Sequence, residues 1–378
     1  MSALFWAVYD EEQKKKAEEI LATFDKDSKD EMGMMSITIA LSSEMFPGTS
    51  VLHTRLRYVF LVGWIFLEAI ESEKELTMEL LHKKEKQLRR KLQDKKENDK
   101  KAFTGIVGST KIIDDDGDGE ELSQPPFSVY FNLLKEWGII NDENISVTEL
   151  CEESFCREYV KLIKNDDFKN DTFKLAKEEK DYIVQQIPES ILSTIFKEKI
   201  KLLDIEEQKQ HFVGFNIDLI ENNEQKELFL YAQNFSLLMW GTMLYYNHYL
   251  GNDSDDIKDR FDIWKERVSE VVQGGWKPSS TLGLIKEKTN ALQIRFIEDW
   301  YDYVKKNIDN LDLEMPKPIK NKNIEDFLRE REQQLKGNRS RLLKKEKGKI
   351  LEAKFGIRPI EYRWSNIVRF KKDFDVTR

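Results

Sequence analysis

The chain has 378 residues, 40% of them apolar and 35% charged, with 8 prolines and 2 cysteines. That length can bury a large core, and the composition excludes a disordered chain and a disulfide scaffold. The formal charge of −9 is unevenly spread: residues 316–378 hold 19 Lys/Arg against 9 Asp/Glu, a net of +10, which leaves the remainder at −19.

The opening "ALFWAVY" predicts a short strand, and Asp10 is placed to cap a helix through "EEQKKKAEEILATF". Without a basic start and a small-residue cleavage site, this terminus does not read as a secretory signal. Cys151 and Cys156 match no zinc spacing and point to a reducing, cytoplasmic setting. A second helix is expected over 36–45, stopped by Pro47-Gly48. The third is expected to start near Val51 and run to about Lys96, ending in the solvated charge run "HKKEKQLRRKLQDKKENDKK". Its apolar stretch 59–67 falls far short of the ~20 residues a membrane span needs, so it reads as a buried helix and no membrane contact is expected.

The acidic loop "GSTKIIDDDGDGEELSQPP" leads into the helix "PFSVYFNLLKEWG", with Gly138 as its stop. Helical spacing recurs in "VTELCEESFCREYVKLI", "AKEEKDYIVQQI", "ESILSTIFKEKI", "ELFLYAQNFSLLMWGTMLYYNHYL", "SDDIKDRFDIWKERVSEVV" and "LQIRFIEDWYDYVKKN". "MPKPIKNKN" reads as a linker into a last helix over about 324–347. The predicted fold is mainly α: a multi-helix globular protein with a short N-terminal strand and a basic C-terminal helical unit. Composition divides it into 1–104 (N-terminal unit with the long helix), 105–124 (acidic loop), 125–315 (central helical core) and 316–378 (basic unit).

Signals for chemistry fail on spacing. With Asp114 first in a calcium loop, Asp116, Asp118 and Gly119 fit, but the twelfth position is Pro125, which supplies no carboxylate. His53, His82, His211 and His248 have no second His or Cys one helical turn away. "GIVGSTK" lacks the Gly-Lys-Ser/Thr order of a phosphate loop, and "SSTLG" lacks the flanking glycines of a nucleophile elbow. No catalytic residue, metal or cofactor is assigned.

Three polar groups remain. His53 and Arg57 fall one helical turn apart on a face with Trp64, while Arg55 points elsewhere; a guanidinium at a core boundary needs a carboxylate, helix-end carbonyls or a phosphate. In "NFSLLMWGTMLYYNHYLG", apolar on nearly all sides, Gly241 admits a neighbouring helix, and Tyr245, Asn247 and His248 need partners if buried. The basic C-terminal unit is the strongest candidate for polyanion contact. Lys336, Arg339 and Lys347 can align on one helix, Arg341, Lys344 and Lys345 broaden the stripe, and Arg363 between Tyr362 and Trp364 forms an aromatic-basic group of the kind that stacks on bases. In the competing reading Glu330, Glu332 and Glu346 neutralise the stripe locally, with Glu332 and Lys336 as a favourable pair.

Taken together, "KDEMG", "FPGTS", "TRLRY" with its apolar helix, "PPFSVYFNLLKEWGI", "NFSLLMWGTMLYYNHYL", "LKGNRSRL" and "IEYRW" make the chain similar to an uncharacterised bacterial family. The signature of that family is Asp-Glu-Leu-Gly, Phe-Pro-Gly-Thr-Ser and Thr-Arg-x-Arg-Tyr, with a C-terminal Tyr-Arg-Trp. Met32 stands where the family has leucine, and "IIDDDGDGEEL" reads as an insertion. The resemblance implies a place in phage-defence gene clusters beside a helicase and a phospholipase-D-like nuclease, and a DNA-directed role; it implies no catalytic residue. Thr54, Arg55, Arg57, Tyr58, Tyr245, Asn247, Tyr362, Arg363 and Trp364 match its pattern. The expected function is a non-catalytic defence subunit that binds DNA or a helicase/nuclease partner through Lys336, Arg339, Arg341, Lys344, Lys345, Arg363 and Trp364. The alternatives are a nuclease or phosphodiesterase without a recognisable motif, and a structural scaffold.

Overall fold

A computed structural model describes residues 30–73, 75–98, 103–111, 120–165, 173–197, 200, 212–251, 255–279, 290–346 and 358–375. The strand and first helix expected near the N-terminus, the 114–119 motif, His211, Lys347 and most of "SSTLG" lie outside the described residues.

Thirteen α-helices are formed among the described residues: α1 (Met35–Met45), α2 (Tyr58–Ser72), α3 (Met78–Asn98), α4 (Pro126–Glu136), α5 (Arg157–Asn165), α6 (Lys177–Gln186), α7 (Ile191–Lys197), α8 (Asn223–Tyr249), α9 (Asp255–Gln273), α10 (Ala291–Lys306), α11 (Ile324–Lys336), α12 (Arg341–Glu346) and α13 (Trp364–Asp375). The isolated bridges Ile140 to Phe155 and Ile319 to Lys322 extend into no strand. The protein is mainly α.

The chain forms two compact units that do not follow chain order. A smaller one joins residues 1–38 to 234–360, and a larger one joins 39–233 to 361–378. This differs from the four consecutive segments read from composition, because composition records charge whereas compactness follows burial. The basic stretch 316–378 is itself divided after Ile360.

At the heart of the larger unit lies α2. Its residues Tyr58 to Gly63, Ile65, Phe66, Leu67 and Ala69 are buried, as its apolar run requires, and it packs on α3, α4 and α5. A Cβ at Gly63 would overlap the ring of Tyr159, whose hydroxyl donates to the Val59 carbonyl. The expected long helix from Val51 is instead two helices behind a turn. Residues 51–57 are not helical, Glu73 is extended, and the Thr77 hydroxyl accepts from Leu80 N at 3.2 Å to start α3. Neither break carries glycine or proline, so periodicity runs through both. "VTELCEESFCREYVKLI" likewise becomes two short 3-10 turns before α5, since Ser146 bonds Glu149 and Cys151 N bonds Ser154 Oγ in place of a helical ladder.

In the smaller unit the C-terminal half of α8 is held by two indoles. Trp264 of α9 and Trp300 of α10 donate to Leu237 O and Leu238 O, each at 2.9 Å. Gly241 leaves the room that the Trp264 ring occupies. The expected last helix is broken: α11 ends at Gly337, with φ of +54°, a 3-10 turn spans Gly337–Arg339, and α12 starts after Ser340. The cationic stripe therefore has no continuous helix to lie on.

Candidate functional site

The Thr-Arg-x-Arg-Tyr segment of the larger unit is a clasp of internal bonds. Tyr130 of α4 accepts from Thr54 N at 2.9 Å and Arg55 N at 3.1 Å and donates to Arg55 O at 2.8 Å. The Arg55 guanidinium meets Asp373 of α13 through Nε at 2.8 Å and Nη2 at 2.7 Å, donates to Thr104 O, and lies 4.2 Å from the Phe173 ring centre. Asp373 also accepts from Leu56 N at 2.8 Å; burial pushes its carboxyl up and Arg55 opposes that shift. Arg57, buried, pairs with buried Glu179 of α6, which in turn accepts from Ala176 N at 2.6 Å. Tyr58 accepts from Val107 N at 3.0 Å. Both arginines thus satisfy the first of the three options open to a core-boundary guanidinium, the carboxylate.

His53 belongs to the same clasp. Its Nδ1 accepts from Ser50 N at 3.1 Å, which makes Nε2 the donor to Val129 O, also at 3.1 Å, and the ring stacks on Tyr130. Burial pushes its pKa down to about 4, and Arg363 adds to the shift.

Arg363 and Trp364 sit in the larger unit as well. Tyr362 and Arg363 both adopt left-handed backbone, with φ of 45° and 66°, a conformation that costs free energy in residues other than glycine. In this conformation the Arg363 guanidinium donates to Thr49 O and both neighbouring rings are buried. Trp364, 3% exposed, is ringed by Phe46, Phe212, Phe215 and Phe229, and Tyr362 by Phe212. Neither ring face is open to a base. This corrects the expected stacking group: the residues are adjacent in sequence, but the aromatic rings are what the core takes in.

In the smaller unit the Asp-Glu-Met-Gly segment is a second hub. Asp30 accepts from Met34 N and Met35 N at the start of α1, Met32 O accepts from Arg331 Nε at 2.9 Å, and Gly33 O accepts from Gln293. Gly33, at φ +75°, has no room for a Cβ beside Arg331 and Leu335. The buried Glu31 carboxylate takes Lys336, with Arg341 Nε at 3.8 Å, and shares the Tyr246 hydroxyl with Glu332. Burial raises the Glu31 pKa, and its own lysine works against that. Burial would raise Glu332 too, but N–H groups of Arg341 and Leu342 and hydroxyls of Ser340 and Tyr246 hold it below the ordinary value.

Those bonds place the expected C-terminal cations. Lys336 and Arg341 face Glu31, and Lys345 donates to the Tyr249 carbonyl. Arg339 is exposed and Lys344 is half-buried. Glu332 does not pair with Lys336; it receives the N-terminus of α12 instead, while Glu330 pairs with Lys322 and Glu346 with Arg329. Tyr245 donates to Asp312 O at 2.7 Å among Phe261, Trp264 and Trp300, and Asn247 donates to Met243 O. The expected site residues are therefore not brought together in one place.

The smaller unit also holds an open cavity of about 260 Å³ lined by Arg295, Phe296, Phe327 and Arg331 and by the Lys320–Asp299 and Lys322–Glu330 pairs. Among the described residues no three His, Cys, Asp or Glu side chains are grouped to hold a metal, and no helix is long and apolar enough to cross a membrane.

Over residues 1–375 the chain matches a family of unknown function, DUF6361. The chain belongs to that family. No curated protein and no solved structure matches it. In this DUF6361 chain, sequence reasoning missed three of the acids that complete the clusters, Asp373, Glu179 and Glu31, and named Glu332 only as a local partner of Lys336, whereas it receives Arg341 N, Leu342 N and the Ser340 hydroxyl. Asp373 had a signal, since it lies seven residues after Asn366 on one face of α13, and both bond the segment 50–56. Glu31 had none that distinguishes it from its acidic neighbours.

Proposed function

We propose that the protein is a non-catalytic subunit of a bacterial anti-phage defence assembly, joined to its helicase-like or phospholipase-D-like nuclease partner by protein contact. The assembly is what the family resemblance implies. The observation that supports a non-catalytic role is the closure of Arg55 on Asp373 and of Arg57 on Glu179: a general acid, base or electrostatic catalyst must reach a substrate atom, and these groups are turned inward on each other. The same commitment at Lys336, Arg341 and Trp364 favours a protein partner over DNA at the C-terminal end.

The test is co-expression with each neighbouring defence protein, followed by size-exclusion chromatography with light scattering. Stoichiometric co-migration with one of them, together with loss of phage resistance when this chain is deleted, is the expected result. Separate migration of every component with unchanged resistance would sink the reading.

A further inference from the structure

The segment "KKEKQLRRK" on α3 holds six cations and one acid in nine residues, Lys83 to Lys91. Five of these cations fall into two kinds. Lys84 reaches Glu68 at 3.4 Å, and Arg89 is buried against Glu85 at 3.3 Å and donates to Glu120 O at 3.0 Å. Lys83, Lys86 and Lys91, by contrast, form no ion pair with an acid among the described residues. Lys83 and Lys91 are exposed, Lys86 is half-exposed, and the Lys91 ammonium lies 5.0 Å from the ring centre of Trp64. The opposite side of the helix, Leu81, Leu88 and Leu92, is buried, and α3 packs on α2. The lysines are therefore carried on a rod whose orientation is fixed by its core face.

We infer that α3 is a contact surface for a nucleic-acid backbone. Residues 83 to 91 cover about 12 Å of helix axis, a length over which each strand of a duplex presents roughly three to four phosphates. A membrane-surface helix needs its apolar side free for lipid, and that side of α3 is used within the protein. Contacts of this kind hold phosphates and carry no sequence information, so binding is independent of sequence and falls steeply with salt. The inference does not rest on the protein-partner reading above, because it concerns a different element and a different ligand.

The experiment is fluorescence anisotropy of the full chain with a labelled mixed-sequence duplex and, separately, a labelled polyglutamate peptide, across a salt series. The variants are the triple Lys83→Gln/Lys86→Gln/Lys91→Gln and the double Arg339→Gln/Lys344→Gln, each checked for an unchanged melting temperature. The triple variant is expected to weaken duplex binding by about tenfold or more at low salt and to lower the salt slope by about 2 to 3, while the double variant leaves both unchanged. Duplex binding by the triple variant equal to the parent, absence of duplex binding at low salt, or binding of polyglutamate in place of duplex would overturn the inference.

Discussion

Two basic stretches of this chain look alike as text and differ as matter. In the stretch from Lys336 to Lys345, which sits in the smaller unit, Lys336 and Arg341 face Glu31 and Lys345 donates to the Tyr249 carbonyl. The stretch from Lys83 to Lys91 sits on a helix of the larger unit, where three of its lysines form no ion pair with an acid among the described residues. The difference teaches that the net charge of a segment says nothing about where its counter-charges are. The cations of a +10 segment can be spent on buried groups such as Glu31, 305 residues from Lys336 in sequence, whereas a helix read as a solvated charge run keeps Lys83 and Lys91 exposed. Committed charges hold the fold; uncommitted ones are what a partner meets.

That contrast can be broken most forcefully where commitment is deepest. Arg57→Met leaves Glu179 buried without its guanidinium and is expected to cost about 3–5 kcal/mol in urea denaturation, whereas Arg57→Met combined with Glu179→Leu recovers most of the loss. A double variant as unstable as the single one would mean that the pair does not act as a unit.

His53 sharpens the contrast through pH, being a neutral group committed as both donor and acceptor. Its folded pKa, about 4, lies below the ordinary 6.5, so the unfolded chain binds the proton first. Its contribution is complete above pH 6.5, is lost as pH falls from there to about 4, and amounts to about 3 kcal/mol. His53→Phe should flatten that part of the acid limb, compared by urea midpoints at successive pH values. An identical acid limb in both proteins would show that His53 is not held neutral.

A smaller effect is expected at Lys336. Replacing it by Met strips the lysine from a carboxylate that is itself fully buried, for a loss of about 1–3 kcal/mol. Lys83→Gln and Lys91→Gln define the other end of the scale: with no acid to abandon, each should shift stability by less than about 0.5 kcal/mol. Equal costs at Lys336 and Lys91 would erase the distinction between the two stretches.

Much of the fold was legible because apolar spacing alone marks the α1, α4, α9 and α10 segments, and because the run from Val59 to Leu67 is too short for a membrane and too apolar for a surface. The breaks were not. An extended Glu73 and a Thr77 cap interrupt the expected long helix, with no glycine or proline to announce them. The break at Gly337 could have been suspected from its residue type, but it is completed by Ser340, just before α12, donating to Glu332 of α11, a bond that no local pattern reveals. The site was legible only in its cations. Arg55 and Arg57 stood out beside an apolar run, and the need for a carboxylate followed from the chemistry of a buried guanidinium; which carboxylate did not, since Asp373 lies 318 residues from Arg55. Trp364 was misread because an aromatic beside an arginine looks the same whether its ring faces a base or four phenylalanines.

The central claim, that Lys336 and Lys345 are held by internal partners while Lys83 and Lys91 of α3 face outward, is tested most directly by limited lysine acylation of the native protein with site-by-site mass spectrometry. Lys83 and Lys91 are predicted to be modified rapidly, and Lys336 and Lys345 only as the chain unfolds in denaturant. Acylation of Lys336 and Lys345 in the native protein at the rate of Lys83 and Lys91 would contradict it.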